Sequence, residues 1–190
     1  MRAALALLAV AAATSLVACK DASTPAQQPA AAVQPTAVSI EAITAQAKGF
    51  TVGQAMSSRV VYVFFDPQCP HCAALWAAAK PLKSQARFVW IPVGLINDKS
   101  SAQGALLLAA KDPEAAMDAH EASLRGGTGG IPVTGTADEA KAAVAGNTKL
   151  FNNFGLQGVP AVIAKHGKSG ELVTREGSMQ TEALAAFLGL

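Results

Sequence analysis

Residues 60–72 read Val-Val-Tyr-Val-Phe-Phe-Asp-Pro-Gln-Cys-Pro-His-Cys. The first six are β-branched or aromatic without a polar interruption, which predicts a strand buried on both faces of a sheet. Asp66-Pro67-Gln68 ends that strand. A helix is predicted from Pro70, because proline suits the first helical position. The two cysteines therefore stand at a junction between a buried strand and a helix.

Cys69 and Cys72 at this junction predict redox chemistry. The first N–H groups of a helix lack partners and carry partial positive charge, so they stabilise a thiolate at Cys69. Pro70 and His71 tune the site, and the charge of His71 further lowers a cysteine pKa that is ordinarily about 8.5. We expect Cys69 to be the exposed nucleophile that forms a mixed disulfide with substrate. Cys72, one turn deeper, then attacks Cys69 and releases the product.

Other roles for the cysteine pair fit less well. A structural zinc site needs four ligands, and His120 and His166 could complete it only at a spacing that matches no standard pattern. Covalent haem attachment requires histidine after the second cysteine, where Ala73 stands. An inert structural disulfide stays open, although two intervening residues close a tight loop. We predict a redox-active Cys69–Cys72 disulfide with no metal and no separate cofactor.

The surrounding sequence alternates predicted strands and helices. The folded part is expected to start near Ile40 with a short helix that Gly49 stops, and Pro81 is expected to kink or end the helix that begins at Pro70. A strand over residues 88–93 completes a βαβ unit. The remaining elements are helices over 102–124 with a break at Asp112-Pro113, a flexible glycine loop over 126–130, a helix over 137–154, strands over 159–164 and 171–175, and a helix over 181–188 capped by Thr181.

The N-terminus predicts export. Arg2 is the only charged residue before Lys20, and the apolar stretch between them is shorter than the roughly 20 residues that a membrane-spanning helix needs. Leu16-Val17-Ala18-Cys19 resembles the bacterial lipobox. The resemblance implies a lipoprotein signal peptide over residues 1–18 and lipidation of Cys19; the alternative is ordinary cleavage at a small-residue site, with an incidental cysteine.

Residues 19–39 are rich in Ala, Pro, Gln and Thr without helical or strand periodicity, which predicts a flexible, lipid-anchored tether before a catalytic domain over residues 40–190. The formal net charge is only +2, and no run of Lys or Arg occurs, so a nucleic-acid partner is not expected. Membrane contact is therefore expected through the lipid. The expected location is the periplasm of a Gram-negative bacterium.

The stretch from Val61 to Cys72, with Trp76 after it, resembles the active-site region of the DsbC/DsbG family of periplasmic disulfide isomerases and reductases. The likeness extends over residues 50–190 and includes Lys111-Asp112-Pro113 and Gly158-Val159-Pro160-Ala161. It implies an α/β, thioredoxin-like fold with a helical insertion between the βαβ and ββα halves. It also implies a cis peptide bond at Pro160, in a substrate-binding loop with Val159 beside the cysteines.

The sequence departs from this family in four ways. The tether stands where the family has a dimerisation domain, so a monomer is expected. Pro70-His71 matches the oxidase DsbA, and so does Val159, where this branch has threonine. Val63 stands where thioredoxin keeps a buried acid, so we expect a buried proton acceptor to be missing.

These features together predict a cell-envelope thiol:disulfide oxidoreductase. It would exchange or reduce disulfides, or reduce oxidised cysteines, in exported proteins, and a membrane redox partner would reset it. One alternative is a DsbA-like disulfide oxidase. Another is a thioredoxin-like copper chaperone that binds Cu(I) through two thiolates, although Met56, Met117 and Met179 are scattered in the sequence.

Overall fold

The computed structural model describes residues 35–135 and 138–190. The predicted signal peptide over residues 1–18, the predicted lipidation site Cys19 and the predicted tether up to residue 34 lie outside these ranges. Among the residues that are described, none of the helices combines the length and the apolar character needed to cross a membrane.

The described part of the chain consists of helices packed on one sheet. Its elements in chain order are α1 (Ile40–Gln46), β1 (Phe50–Gly53), β2 (Val60–Phe65), α2 (Pro70–Ala79) with a 3₁₀ turn (Lys80–Leu82), β3 (Arg87–Pro92), α3 (Asp98–Ala109), α4 (Pro113–Arg125), α5 (Asp138–Asn153), β4 (Ala161–Lys165), β5 (Leu172–Glu176) and α6 (Thr181–Leu188).

The five strands form one mixed sheet in the order β1-β3-β2-β4-β5. Strands β2 and β3 are parallel and are joined through α2, which is the predicted βαβ unit. The other three pairs are antiparallel, including the β4–β5 hairpin before α6. Helices α3, α4 and α5 stand between the two halves, as expected.

Strand β2 lies in the middle of the sheet and supplies both halves of the core. Val61, Val63 and Phe65 contribute to one apolar cluster, which contains side chains of α2 and α6. Phe64 contributes to a second cluster, which contains side chains of α1 and α5. This alternation follows from the period of two along a strand and places helices on both faces of the sheet.

Strand β1 was absent from the sequence-based prediction. Its four residues are too few for a periodic signal, and it pairs antiparallel with β3, with Phe50 opposite Trp90. The position of this strand depends on the ring of Phe50, which packs edge-on against Phe65 and Trp76. The strand forms because the sheet edge supplies hydrogen bonds and this ring supplies an apolar contact.

Two local predictions were wrong. Thr181 does not cap α6: the capping position belongs to Gln180, and the Thr181 hydroxyl donates to the Ala78 carbonyl at 3.0 Å. Helix α3 begins at Asp98 rather than at residue 102, because Asn97 and Ser100 form a capping box there.

The folded part also begins slightly before residue 40. The Thr36 N–H donates to the Asn153 carbonyl at 2.7 Å. The Ser39 hydroxyl accepts from the Ala42 N–H at 3.2 Å and caps α1. Residues 36–39, predicted as the end of the tether, are therefore attached to α5 and α1.

Candidate active site

Cys69 occupies the capping position of α2, directly before Pro70 in the first helical turn. Its backbone is extended, with φ −91° and ψ 115°, and its carbonyl accepts from the N–H groups of Cys72 and Ala73. Both cysteines are free thiols in this structure. The sulfur at Cys69 therefore stands where the unpaired N–H groups of a helix begin, as the sequence predicts.

The expectation that Cys69 is exposed was wrong. Its residue exposure is 4%, and that of Cys72 is 0%. The reason is the chain segment before β4: the Val159 carbonyl oxygen lies 3.5 Å from the Cys69 Sγ and accepts from it when Cys69 is protonated, and the Val159–Pro160 peptide bond is cis. Pro70 and His71 remain exposed beside the pair. The Val159 carbonyl therefore covers part of the Cys69 sulfur.

The two sulfurs have opposite protonation preferences. The pKa of Cys69 is lowered to about 6, mainly because the Cys72 thiol donates a hydrogen bond to it, with help from the N–H groups of Cys72 and His71 and from the charge of His71. Burial opposes this lowering. Burial raises the pKa of Cys72 far above its usual range, and the Cys69 thiolate adds to the effect. At neutral pH the pair is therefore one thiolate and one thiol.

Asp66 fixes the loop between β2 and the cysteines, a role the sequence analysis missed. One oxygen of its buried carboxylate accepts from the Gln68 N–H at 2.8 Å and from the Ser100 hydroxyl at 2.7 Å. The other accepts from the N–H groups of Leu95 and Ile96 at 2.7 and 3.0 Å. Four donors satisfy this carboxylate and join the active-site loop to the start of α3.

The glycine loop predicted over residues 126–130 is hydrogen-bonded to neighbouring side chains at Gly129. The Gly129 carbonyl accepts from the side-chain amides of Gln68 and Gln103, at 3.1 and 2.9 Å. Gln103 also donates to the Ile131 carbonyl at 3.0 Å. These amides connect the residue before Cys69 to the helical insertion.

His120 and His166, the candidate zinc ligands, are occupied elsewhere. His120 Nε2 donates to the Pro67 carbonyl at 2.7 Å, and its Nδ1 accepts from the Ile131 N–H at 3.2 Å, which assigns a neutral ring with the proton on Nε2. Burial lowers the His120 pKa. His166 Nδ1 accepts from the Ser169 N–H in the β4–β5 turn. Within residues 35–135 and 138–190, no three His, Cys, Asp or Glu side chains are grouped as a metal site.

A buried acid is present, contrary to expectation. Glu121 of α4 has an exposure of 1%, and neither carboxylate oxygen has a hydrogen-bond partner among the described residues. Burial raises its pKa to about 7; the charge of Arg125 opposes this, and the charges of Cys69 and Asp118 add to it. Val63 occupies the position where thioredoxin keeps its buried acid, and the acid of this chain comes instead from the helical insertion.

Comparisons with known proteins agree with this architecture. Residues 49–189 match the family described as thioredoxin-like domain. A periplasmic thioredoxin-like protein from Salmonella enterica serovar Typhimurium has the same fold, with a TM-score of 0.57 and 19% identity over 74% of this chain and 88% of the other. The predicted α/β, thioredoxin-like fold with a helical insertion is confirmed.

Two curated relatives carry the same description, thiol:disulfide interchange protein DsbG. The one from Pseudomonas aeruginosa is 35% identical over 141 residues, which cover 72% of this chain and 54% of that protein. The one from Escherichia coli is 32% identical over 105 residues, covering 54% and 42%. The matched part of this chain thus spans only about half the length of these curated relatives. The chain belongs to the thioredoxin-like domain family, and within that family it resembles the DsbC/DsbG-type thiol:disulfide interchange proteins.

Proposed function

We propose that this chain is a cell-envelope thiol:disulfide oxidoreductase of the DsbG type. Its Cys69-Pro70-His71-Cys72 site would exchange or reduce disulfides, or reduce oxidised cysteines, in exported proteins. The observation that carries the proposal is the opposite shift of the pKa values of the two sulfurs. Cys69 has a pKa of about 6 at a helix start, and the buried Cys72 one turn away stays protonated.

In the reducing direction, the Cys69 thiolate attacks one sulfur of a substrate disulfide. A bond forms between Cys69 and that sulfur, and the other substrate sulfur leaves as a thiolate. Cys72 then loses its proton and attacks Cys69, which releases the second substrate sulfur and forms the Cys69–Cys72 disulfide. The substrate gains two electrons and the enzyme loses two. A membrane redox partner would return the enzyme to the dithiol.

The lowered pKa of Cys69 keeps the attacking sulfur ionised at neutral pH. With a pKa of about 6, the thiolate outnumbers the thiol by about ten to one at pH 7. The raised pKa of Cys72 keeps the second sulfur inactive until Cys69 is bonded to a substrate and no longer carries charge. Cys72 can attack only after the mixed disulfide has formed, because the Cys69–Cys72 bond forms by displacing the substrate sulfur from Cys69.

Val159 and Pro160 would form the loop along which the substrate cysteine reaches Cys69. The contact between the Cys69 sulfur and the Val159 carbonyl supports this role, because a substrate sulfur must approach within bonding distance of an atom that this loop covers. Pro70 and His71, which are exposed beside the pair, would also contact the bound substrate.

The proposed location is the periplasm, with the protein held to the envelope by a lipid on Cys19 and acting as a monomer. The charged start, apolar stretch and lipobox-like residues 16–19 support export and anchoring. The description of the Salmonella relative as periplasmic supports the same compartment. Labelling with a radioactive fatty acid tests the anchor: wild type should be labelled and Cys19→Ser should not.

A DsbA-like oxidase is the second candidate, and the dipeptide Pro70-His71 favours it. His71 stabilises the Cys69 thiolate, and a stabilised thiolate makes the corresponding disulfide more oxidising. The reduction potential separates the two functions. A value near −120 mV would support oxidation of folding proteins, and a value below about −200 mV would support reduction or isomerisation.

The methionines of the described residues do not support the copper-chaperone alternative. Met56 is 94% exposed in the segment after β1, and Met117 and Met179 are buried in the core.

Insulin reduction tests the proposed function directly. Wild type should reduce insulin in the presence of a thiol donor, and Cys69→Ser should be inactive because oxygen cannot replace the thiolate. Ser58→Ala, a change on the loop after β1, should retain full activity and serves as the control. Equal rates for wild type and Cys69→Ser would overturn the proposal.

A further inference from the structure

Helices α2 and α4 pack with their chain directions opposed, and their side-chain contacts show it. Beyond the end of α2, Lys83 pairs with Glu114 in the first turn of α4 at 2.6 Å. One turn further along α4, Asp118 accepts from the Trp76 indole N–H at 2.7 Å. Residues later in α4 therefore lie beside residues earlier in α2, and the C-terminal end of α4 lies near the cysteines at the start of α2.

This register places Glu121 at the level of the active site. Asp118, Glu121 and Arg125 are three and four residues apart, so they share one face of α4. Asp118 meets Trp76 on α2, and Arg125 lines a groove with Pro70 at the start of the same helix. Along α4, Glu121 lies between these two contacts, at the level of the first turns of α2, and the charge of Cys69 acts on it.

Glu121 makes no hydrogen bond or ion pair that would give its carboxylate a structural role among the described residues. It is 1% exposed, and both carboxylate oxygens lack a hydrogen-bond partner among the described residues. A buried carboxylate without partners is costly as an anion, so a neutral carboxyl group is favoured. The charged groups that act on it are Asp118 and Arg125 on its own helix and Cys69 at the start of α2, and Asp118 is itself paired with Lys80.

We propose that Glu121 is the buried acid of this active site and holds the proton that Cys69 gives up. In the reduced protein the carboxyl is protonated beside the Cys69 thiolate. In the oxidised protein Cys69 carries no charge, and the carboxyl ionises more readily. This inference rests on the proposed function and deepens it, because it names the group that balances the charge of the nucleophile.

The proton and electron balance of the step is complete. A substrate dithiol brings two electrons and two protons to the Cys69–Cys72 disulfide, and it leaves as a disulfide. One proton goes to Cys72, which becomes a thiol. The other goes to the Glu121 carboxylate in the molecules in which that group is ionised, and to solvent in the rest, so Cys69 remains a thiolate. In the reverse direction the same two protons return to the substrate sulfurs.

The charge coupling between the two sites supports this arrangement. A thiolate at Cys69 raises the pKa of Glu121, and by linkage an ionised Glu121 raises the pKa of Cys69 by the same amount. Reduction of the disulfide therefore draws a fraction of a proton onto Glu121 near neutral pH, in addition to the proton on Cys72. Arg125 acts in the opposite direction and limits this uptake.

The test uses the full-length protein, Glu121→Gln and the control Glu114→Gln. The control makes the same chemical change on the same helix, at the surface. Each protein is equilibrated with glutathione buffers across the neutral pH range. Wild type and Glu114→Gln should show a steeper fall of reduction potential with pH near pH 7 than Glu121→Gln. The difference should be a fraction of one proton per two electrons, and the apparent pKa of Cys69 should fall in Glu121→Gln.

A second measurement uses wild type alone, so it does not depend on whether a variant folds. Carbon NMR of labelled glutamate carboxyls in wild type should give a higher pKa for Glu121 in the reduced protein than in the oxidised protein. The same pKa in both states, or identical potential slopes for the two variants, would overturn the inference while leaving the proposed function intact. If wild type does not exchange with glutathione at all, the proposed function fails first, and this inference fails with it.

Discussion

The imidazole of His120 joins the helical insertion to the active-site loop, because its Nε2 donates to the Pro67 carbonyl at 2.7 Å. Pro67 is two residues before Cys69. The bond therefore connects α4 to the segment that positions the nucleophile. The ring is buried and packs close to Gly130: a Cβ at that glycine would lie 2.5 Å from the His120 Cε1.

We predict that protonation of His120 destabilises the protein in acid. Burial holds its folded-state pKa below the ordinary value of 6.5, so the unfolded chain binds the proton more tightly. The contribution is present above pH 6.5 and is lost as pH falls below it. His120→Ala should lower the free energy of unfolding by about 2–4 kcal/mol at pH 8, because two hydrogen bonds and a buried ring are lost.

Urea denaturation at several pH values checks this prediction. The loss of stability between neutral and mildly acidic pH should be smaller in His120→Ala than in wild type. His166→Ala, which changes a partly exposed histidine in the β4–β5 turn, should keep the wild-type dependence. An unchanged dependence in His120→Ala would assign the acid sensitivity to other groups.

Asp66→Asn should disturb both the fold and the site. The native carboxylate accepts four hydrogen bonds, and an asparagine NH₂ would face some of those donors without being able to accept. We expect a loss of about 2–4 kcal/mol of stability and slower insulin reduction. Asp98→Asn, on the exposed first turn of α3, should cost well under 1 kcal/mol. Comparable stability for the two variants would contradict this assignment.

Cys72 variants separate the hydrogen bond from the second redox step. Cys72→Ser keeps a hydroxyl that can donate to the Cys69 thiolate, whereas Cys72→Ala keeps no donor. Because the Cys72 thiol is the main cause of the lowered pKa of Cys69, that pKa should rise in Cys72→Ala and stay low in Cys72→Ser. Alkylation rates measured against pH give both values. Both variants should accumulate mixed disulfides with substrate. If the Cys69 pKa were equal in the two variants, the Cys72 thiol could not be the cause of its lowering.

Glu121→Gln should stabilise the protein at alkaline pH. The folded-state pKa of Glu121 is about 7, against an ordinary value of 4.5. The native state therefore binds the proton more tightly, and this contribution is complete below pH 4.5 and lost as pH rises through 7. The loss is on the order of 3 kcal/mol. Thermal denaturation at pH 5 and pH 8 should show the variant gaining stability relative to wild type only at the higher pH. No gain at pH 8 would mean that the carboxylate is solvated or paired.

The sequence predicts the elements whose signals are local. Strand β2 and helix α2 follow from the apolar run and from Pro70, and Pro81 falls in the 3₁₀ turn that ends the helix. Strand β1 could not be predicted, because four residues carry no periodicity and their strand conformation depends on β3. The capping position of α6 was misassigned, because Gln180 and Thr181 are adjacent and only the backbone angles identify the capping residue.

The candidate site shows the same division. The cysteine pair and the helix start are adjacent in sequence, so the lowered pKa of Cys69 could be anticipated. The cover over Cys69 depends on Val159, which is 90 residues away in the chain. The role of Glu121 depends on the packing of α4 against α2. In an alanine-rich helix, the sequence pattern does not indicate which face meets the active site.

The ionisation of Cys69 tests the central claim most directly. The thiolate absorbs in the ultraviolet, so a pH titration of the reduced full-length protein, with Cys69→Ser as the blank, isolates this one group. We predict a midpoint near pH 6. A midpoint close to the ordinary cysteine value of about 8.5 would contradict the account, because Cys69 would then be mostly protonated at neutral pH.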